Sequence, residues 1–169
     1  MLGLYENFPK NIHKAAHFTV LVSNKRFQQT LIRTLHKING ITFNLEEIAD
    51  PSVPQCKVIF DWGIADTNNF NYLDEEETNK VLKTIWKKPC RIMDFFCAVR
   101  YYKIQNEKKN PLKFDYYMLR FTSNKDLLEI QVFHERGLQY TTPEDIINLI
   151  ANKINQTSPR KMLKPFEFS

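Results

Sequence analysis

The 169-residue chain has only 4 glycines, and that scarcity excludes more than any motif adds. Phosphate-cradling loops need glycine, because backbone N–H groups converge on an anion only where no side chain intrudes. Neither GxxxxGK[ST] nor GxGxxG occurs, so the common nucleotide loops are missing. HExxH and GxSxG are missing too, which leaves a zinc hydrolase or a nucleophile-elbow hydrolase without its usual sequence mark. The three cysteines, Cys56, Cys90 and Cys97, are odd in number and lack paired metal-ligand spacing. Cys97 sits in an apolar run, where a free thiol behaves as a small hydrophobe. All three read as reduced, which places the protein inside the cell, in cytoplasm or nucleus. No apolar stretch approaches the ~18 residues needed to span a bilayer. The opening MLGLYENFPK lacks the basic region and apolar run of a signal peptide.

What is present is the composition of a folded protein, 43% hydrophobic and 25% charged, with 13 phenylalanines to build a core. The length suits one domain, or two small layers packed together. The net charge of +5 and a pI near 9.0 favour an anionic partner, although a lysine-rich solvated surface produces the same numbers.

Along the chain, HFTVLVS (17–23) has the β-branched and aromatic content of a strand. Asn24 then caps a helix whose Phe27, Leu31, Ile32, Leu35 and Ile38 form one apolar stripe, ended by Gly40. ITFNL (41–45) reads as a short strand, 50–54 as a proline turn and KVIFDWGIA (57–65) as a strand. DTNNFNY (66–72) is polar, reads as a loop and is the best internal boundary. The next helix (74–88) carries acids in its first turn and lysines in its last, as the helix dipole prefers. The cluster Asp74 to Glu77 is explained by that placement without a metal.

Strands at 91–103, 114–122 and 127–135 follow, and Thr142-Pro143-Glu144-Asp145 opens a last helix with a strong start signal. This predicts an α+β fold, a mainly antiparallel sheet with a C-terminal three-stranded meander flanked by helices. Residues 1–70 form a strand–helix–strand layer, and residues 71–155 a helix–meander–helix layer compact with it. Residues 156–169 are a basic tail, either free or adding an edge strand.

Strand side chains alternate between faces, so candidate registers can be tested for a consistent apolar side. Pairing Tyr102 with Phe114 across a loop at 103–113 sets Val99 against Tyr117, Cys97 against Leu119 and Phe95 against Phe121. A turn at Asn124-Lys125 sets Phe121 against Leu128, Leu119 against Ile130 and Tyr117 against Val132. Both registers agree on one core side. The other side then carries Phe96, Ala98, Arg100, Tyr102, Tyr116, Met118, Arg120, Glu129, Gln131 and Phe133. Tyr116 falls between Arg100 and Phe133, and Arg120 between Phe96 and Glu129.

Three uses of that mixed face compete. It can pack under the N-terminal half, with Arg120 and Glu129 as a cross-strand ion pair. It can serve as an open platform for single-stranded nucleic acid, since every base offers a π-face and cations hold the backbone. It can be a protein–protein face, because Tyr, Phe, Met and Arg are enriched in interface cores. Lys103, Lys108, Lys109 and Lys113, opposed only by Glu107, form a basic loop beside it that can track phosphates. The predicted site is therefore Arg100, Tyr102, Lys103, Lys108, Lys109, Lys113, Tyr116, Arg120 and Phe133.

Asp115, then Glu129-Ile130-Gln131, fall on successive strands of a helix–three-strand–helix unit. That order resembles the core of restriction-endonuclease-like nucleases over about half the chain. The resemblance implies a divalent metal held by an acid on the second strand and an acid-x-polar pair on the third. Gln131 stands where that family usually has lysine. The registers above place Asp115 on the core side, near His134, and Glu129 and Gln131 on the other. The sequence thus predicts a binding module for nucleic acid or another anionic partner, with no cofactor and no metal. An adaptor subunit of a larger complex, homo- or hetero-oligomeric, is the alternative, and a metal-dependent nuclease a lesser one.

Overall fold

The computed structural model describes residues 1–49, 56–105 and 108–166. Each helix begins where a short polar side chain takes up a free backbone N–H. Ser23 Oγ accepts from the Arg26 N–H at 3.1 Å and opens α1 (Asn24–Ile38), one residue before the expected cap at Asn24. Asp74 accepts from the Glu77 N–H at 2.8 Å and opens α2 (Glu75–Lys87). Thr142 and Asp145 form a reciprocal capping box at α3 (Pro143–Asn155).

The strands are β1 (Lys14–Val20), β2 (Thr42–Asn44), β3 (Cys56–Asp66), β4 (Asn69–Tyr72), β5 (Ile92–Gln105), β6 (Lys108–Asn124), β7 (Leu127–Gly137) and β8 (Leu163–Pro165). They form one antiparallel sheet in the order β2-β3-β5-β6-β7-β1-β8, with β4 also paired to β3. The fold is α+β, as expected. Residues 66–72, read as a loop, instead make a tight hairpin. Thr67 and Asn68 both take left-handed φ values, 49° and 65°, and the chain returns along β3. Two successive left-handed residues make the hairpin turn whose twist matches the flanking strands. The C-terminal segment supplies an edge strand, β8, against β1.

Within the expected loop at 103–113, residues 103–105 and 108–113 are likewise strand. Lys103 faces Asn110, and Gln105 faces Lys108, so β5 and β6 run on as a long ribbon. The register shifts between Tyr101, opposite Lys113, and Tyr102, opposite Pro111, which leaves Leu112 as an extra residue on β6.

Both meander registers are displaced by two residues from the expected ones. Cys97 faces Tyr117 rather than Leu119, and Phe121 faces Ile130 rather than Leu128. A displacement of two leaves every side chain on its face, so hydrophobic alternation cannot detect it. The second turn is set by Lys125, which adopts φ 56° and moves the loop to Lys125-Asp126.

Phe60, Trp62, Phe95, Cys97, Val99, Leu119, Phe121, Ile130 and Val132 share one sheet face. They are buried in a single cluster with Phe27, Leu31 and Leu35 of α1, Val81 and Ile85 of α2, and Ile146 and Ile150 of α3. All three helices therefore cover the same side of the sheet. Phe95 and Phe121 meet edge to face at 5.4 Å and 82°. Each large apolar side chain moved from water into this layer contributes about 1.5–3 kcal/mol, so this face holds the fold. No helix among the described residues is long and apolar enough to cross a membrane.

Gly137 ends β7 at φ 125°, where a Cβ would lie 2.2 Å from Asp115 Oδ1 and 2.3 Å from the Phe114 carbonyl oxygen. Gly137→Ala is expected to lower the unfolding free energy by about 3 kcal/mol, from backbone strain plus overpacking. Urea denaturation with an unchanged m-value checks this.

Candidate functional site

The face opposite the helices is divided by the first thirteen residues of the chain. Gly3 wedges between β3 and β5, donating to the Ala65 carbonyl at 2.7 Å and accepting from the Asp94 N–H at 2.6 Å. Beyond it the segment crosses Asp94, which is fully buried on this face. Arg120 grips the Asp94 carboxylate through Nε and Nη2, both at 2.8 Å, and Nη2 also donates to the Tyr5 carbonyl at 3.1 Å. The Tyr5 N–H completes the knot on Asp94 Oδ2 at 2.8 Å. The Phe8 ring lies 4.4 Å from the Arg120 guanidinium carbon, and the His13 ring stacks on Phe133 at 4.8 Å.

These contacts overturn one expected pair. Arg120 answers Asp94 rather than Glu129, and Glu129 answers His17 Nε2 at 2.9 Å. The two-residue displacement is the reason, because it brings Asp94 rather than Phe96 opposite Arg120. Arg120 and Phe133 lie on the predicted face but under the N-terminal segment. His13 and His17 have HxxxH spacing, which would share a face on a helix. Here the chain is extended and each is engaged separately, His13 Nδ1 accepting from the His134 N–H at 2.8 Å.

The half of the face toward the β5–β6 ribbon is less covered. Phe70 and Phe96 are 5.7 Å apart, Phe96 and Tyr116 5.3 Å, and Tyr116 stacks on Phe114 at 4.6 Å. One aromatic run thus crosses three strands, and Phe114, at 39% exposure, is its most open end. Arg100 flanks the run, holding Asp61 at 2.9 Å through Nη2 and donating to the Tyr102 hydroxyl at 3.1 Å through Nη1. Arg136, which the sequence reading did not include, sits exposed opposite Tyr116. A bulge between Tyr116 and Tyr117 brings it there. Hydrophobic alternation carries no trace of a bulge, so nothing in the sequence pointed to Arg136.

Of the predicted residues, Arg100, Tyr102 and Tyr116 meet on this open half. Lys103 and Lys113 belong to the alternate positions of their strands, those of Tyr101 and Asp115, and so lie toward the helix side. Lys108 and Lys109 fall in β6, and their side chains lie outside the described residues.

Asp115 is on the helix side and fully buried. Its Oδ1 accepts from His134 Nε2 at 2.8 Å and the Gln139 N–H at 2.7 Å. Its Oδ2 accepts from the Tyr101 hydroxyl at 2.5 Å and the Tyr140 N–H at 3.2 Å. Glu129 and Gln131 occupy the opposite face, so the acids of the nuclease-like order are separated by the sheet itself. Among the described residues no group of three His, Cys, Asp or Glu side chains could hold a metal. No family model, no curated protein and no solved structure matches the chain.

Around Asp115, burial pushes the Tyr101 hydroxyl far above its ordinary value, and the hydrogen bond to the carboxylate raises it further. Burial also raises Tyr117, whose hydroxyl donates to the Thr141 carbonyl at 2.6 Å, against a lowering contribution from the Thr141 side chain. A phenol whose folded value is raised contributes stability below the unfolded value of about 10, and that stability is lost as pH climbs above it toward the folded value. A spectrophotometric titration is therefore expected to leave two of the seven tyrosines un-ionised until the chain unfolds at alkaline pH. Asp94→Ala is expected to cost about 3 kcal/mol, near the low end for a buried pair, because the Arg120 side chain keeps 22% exposure. Thermal or chemical unfolding measures that loss.

Proposed function

We propose that the protein is a non-enzymatic, intracellular binding module for single-stranded nucleic acid. The observation that carries this is the aromatic run Phe96–Tyr116–Phe114 between Arg100 and exposed Arg136 on the less covered half of the sheet. Bases freed from a duplex stack on such rings regardless of sequence, while the guanidinium groups meet phosphates or lie on base planes. A duplex hides its base faces and gains little there. The overall charge of +5 favours approach of a polyanion. Three free thiols fit a reducing compartment.

Fluorescence anisotropy with labelled single-stranded and duplex oligonucleotides tests this. Single strands are expected to bind with a Kd of about 1–100 µM at moderate salt and to weaken steeply as salt rises. Phe114→Ala and Tyr116→Ala should each weaken binding by about 1–3 kcal/mol. Arg136→Ala should flatten the salt dependence by about one phosphate contact. Phe133→Ala, beneath His13, should change little. No binding at low salt sinks this reading, and a salt-insensitive protein partner captured on the same face would replace it with the adaptor.

A further inference from the structure

On the other side of the N-terminal segment lies a cavity of about 770 Å³, between that segment, the C-terminal end of α2 and residues 89–92. Its size is that of sites for small organic ligands, about 300–1,000 Å³. Leu2, Leu4, Pro89 and Ile92 give it an apolar floor. Lys83, Lys87, Lys88 and Arg91 stand around it, and no carboxylate lines it. None of the four cations makes an ion pair among the described residues. The C-terminal dipole of α2 is worth about half a negative charge, so it accounts for only a fraction of them.

The walls are fixed by contacts independent of any ligand. The buried Gln28 amide clasps the 89–92 connection from both sides, donating to the Cys90 carbonyl at 2.5 Å and accepting its N–H at 2.8 Å. Gly3 pins the opposite wall so closely that a Cβ there would sit 2.6 Å from the Ile92 carbonyl oxygen. A cavity held open in this way takes a ligand without first paying to order its walls.

We propose that this cavity binds a single-chain amphiphile with an anionic head, a long-chain fatty carboxylate. The floor selects an alkyl chain over a small hydrophilic anion, and the rim selects a carboxylate over a neutral or cationic head. The site is separate from the sheet face proposed for nucleic acid and does not depend on it.

Isothermal titration of the full chain with octanoate, decanoate and laurate, all below their micellar concentrations, tests the assignment. Affinity is expected to rise about fourfold per added methylene until the chain outgrows the cavity. Dodecyltrimethylammonium should not bind. Lys83→Gln combined with Lys87→Gln should weaken laurate about three- to tenfold, and Thr84→Trp, which fills the cavity from α2, should abolish binding. Near-UV circular dichroism confirms that each variant is folded. Phe114→Ala should leave laurate affinity unchanged, which keeps this result independent of nucleic-acid binding. No laurate binding, equal binding of the cationic amphiphile, or full affinity in folded Thr84→Trp overturns the proposal.

Discussion

A single buried carboxylate, that of Asp115, organises one end of the molecule. An ionised group without access to water is tolerated only if donors surround it. Asp115 collects four, from Tyr101 on β5, His134 on β7, and the backbone of Gln139 and Tyr140 on the way to α3. Those donors come from three separate parts of the chain, so satisfying one charge ties β5, β6 and β7 together where β7 ends and fixes the path into the last helix. Gly137 is required because the chain must pass directly against that carboxylate. The same anchor bears on the outer face. Phe114 and Tyr116 flank Asp115 in β6, and alternation turns them away when Asp115 is held inward. The stacked pair is therefore placed by a polar network on the far side of the sheet.

Asp94 does the corresponding work on the opposite face. It is as buried as Asp115, but its cover is the N-terminal segment rather than the connection into α3. Bidentate pairing with Arg120 is the strong form of a charge-assisted bond, and the Tyr5 backbone adds to it from both its N–H and its carbonyl. With Phe8 laid over the guanidinium, this cluster decides which part of the sheet is closed. A cation that looked from sequence like part of a binding surface is instead the fastening of that cover.

The parts of the fold that depend on alternation were legible. Every meander residue assigned to the core, from Phe95 through Val132, is buried on the helix side. Helix starts at Asp74 and Thr142 were legible because caps are local chemistry. Register was not, since a displacement of two residues preserves every face and differs only in the turn and in which charges meet. The ion pairs inherited that error, so Arg120 was assigned to Glu129. The hairpin at 66–72 was missed because Thr67 and Asn68 lack the glycine that usually marks such a turn. The N-terminal cover was invisible for a different reason. It uses no regular secondary structure, and its hold on the sheet joins Tyr5 to Asp94 and Arg120, residues 89 and 115 positions away.

The N-terminal segment links the two proposed sites physically, since Leu2 and Leu4 line the cavity while Tyr5 and Phe8 lie on the sheet face. Sharing an element does not by itself couple two sites. Coupling requires that a ligand bind one arrangement of the segment better than another. Here the segment is fastened between the two sites, at Gly3 and at the Asp94–Arg120 pair. Lifting it would expose that pair to water, where an ion pair is worth only about 0–1 kcal/mol, and would strip Phe8 of its packing. The fastening therefore favours one arrangement strongly and insulates the cavity from the aromatic run. Weakening the Asp94–Arg120 pair is what would be needed before occupancy of one site could be felt at the other.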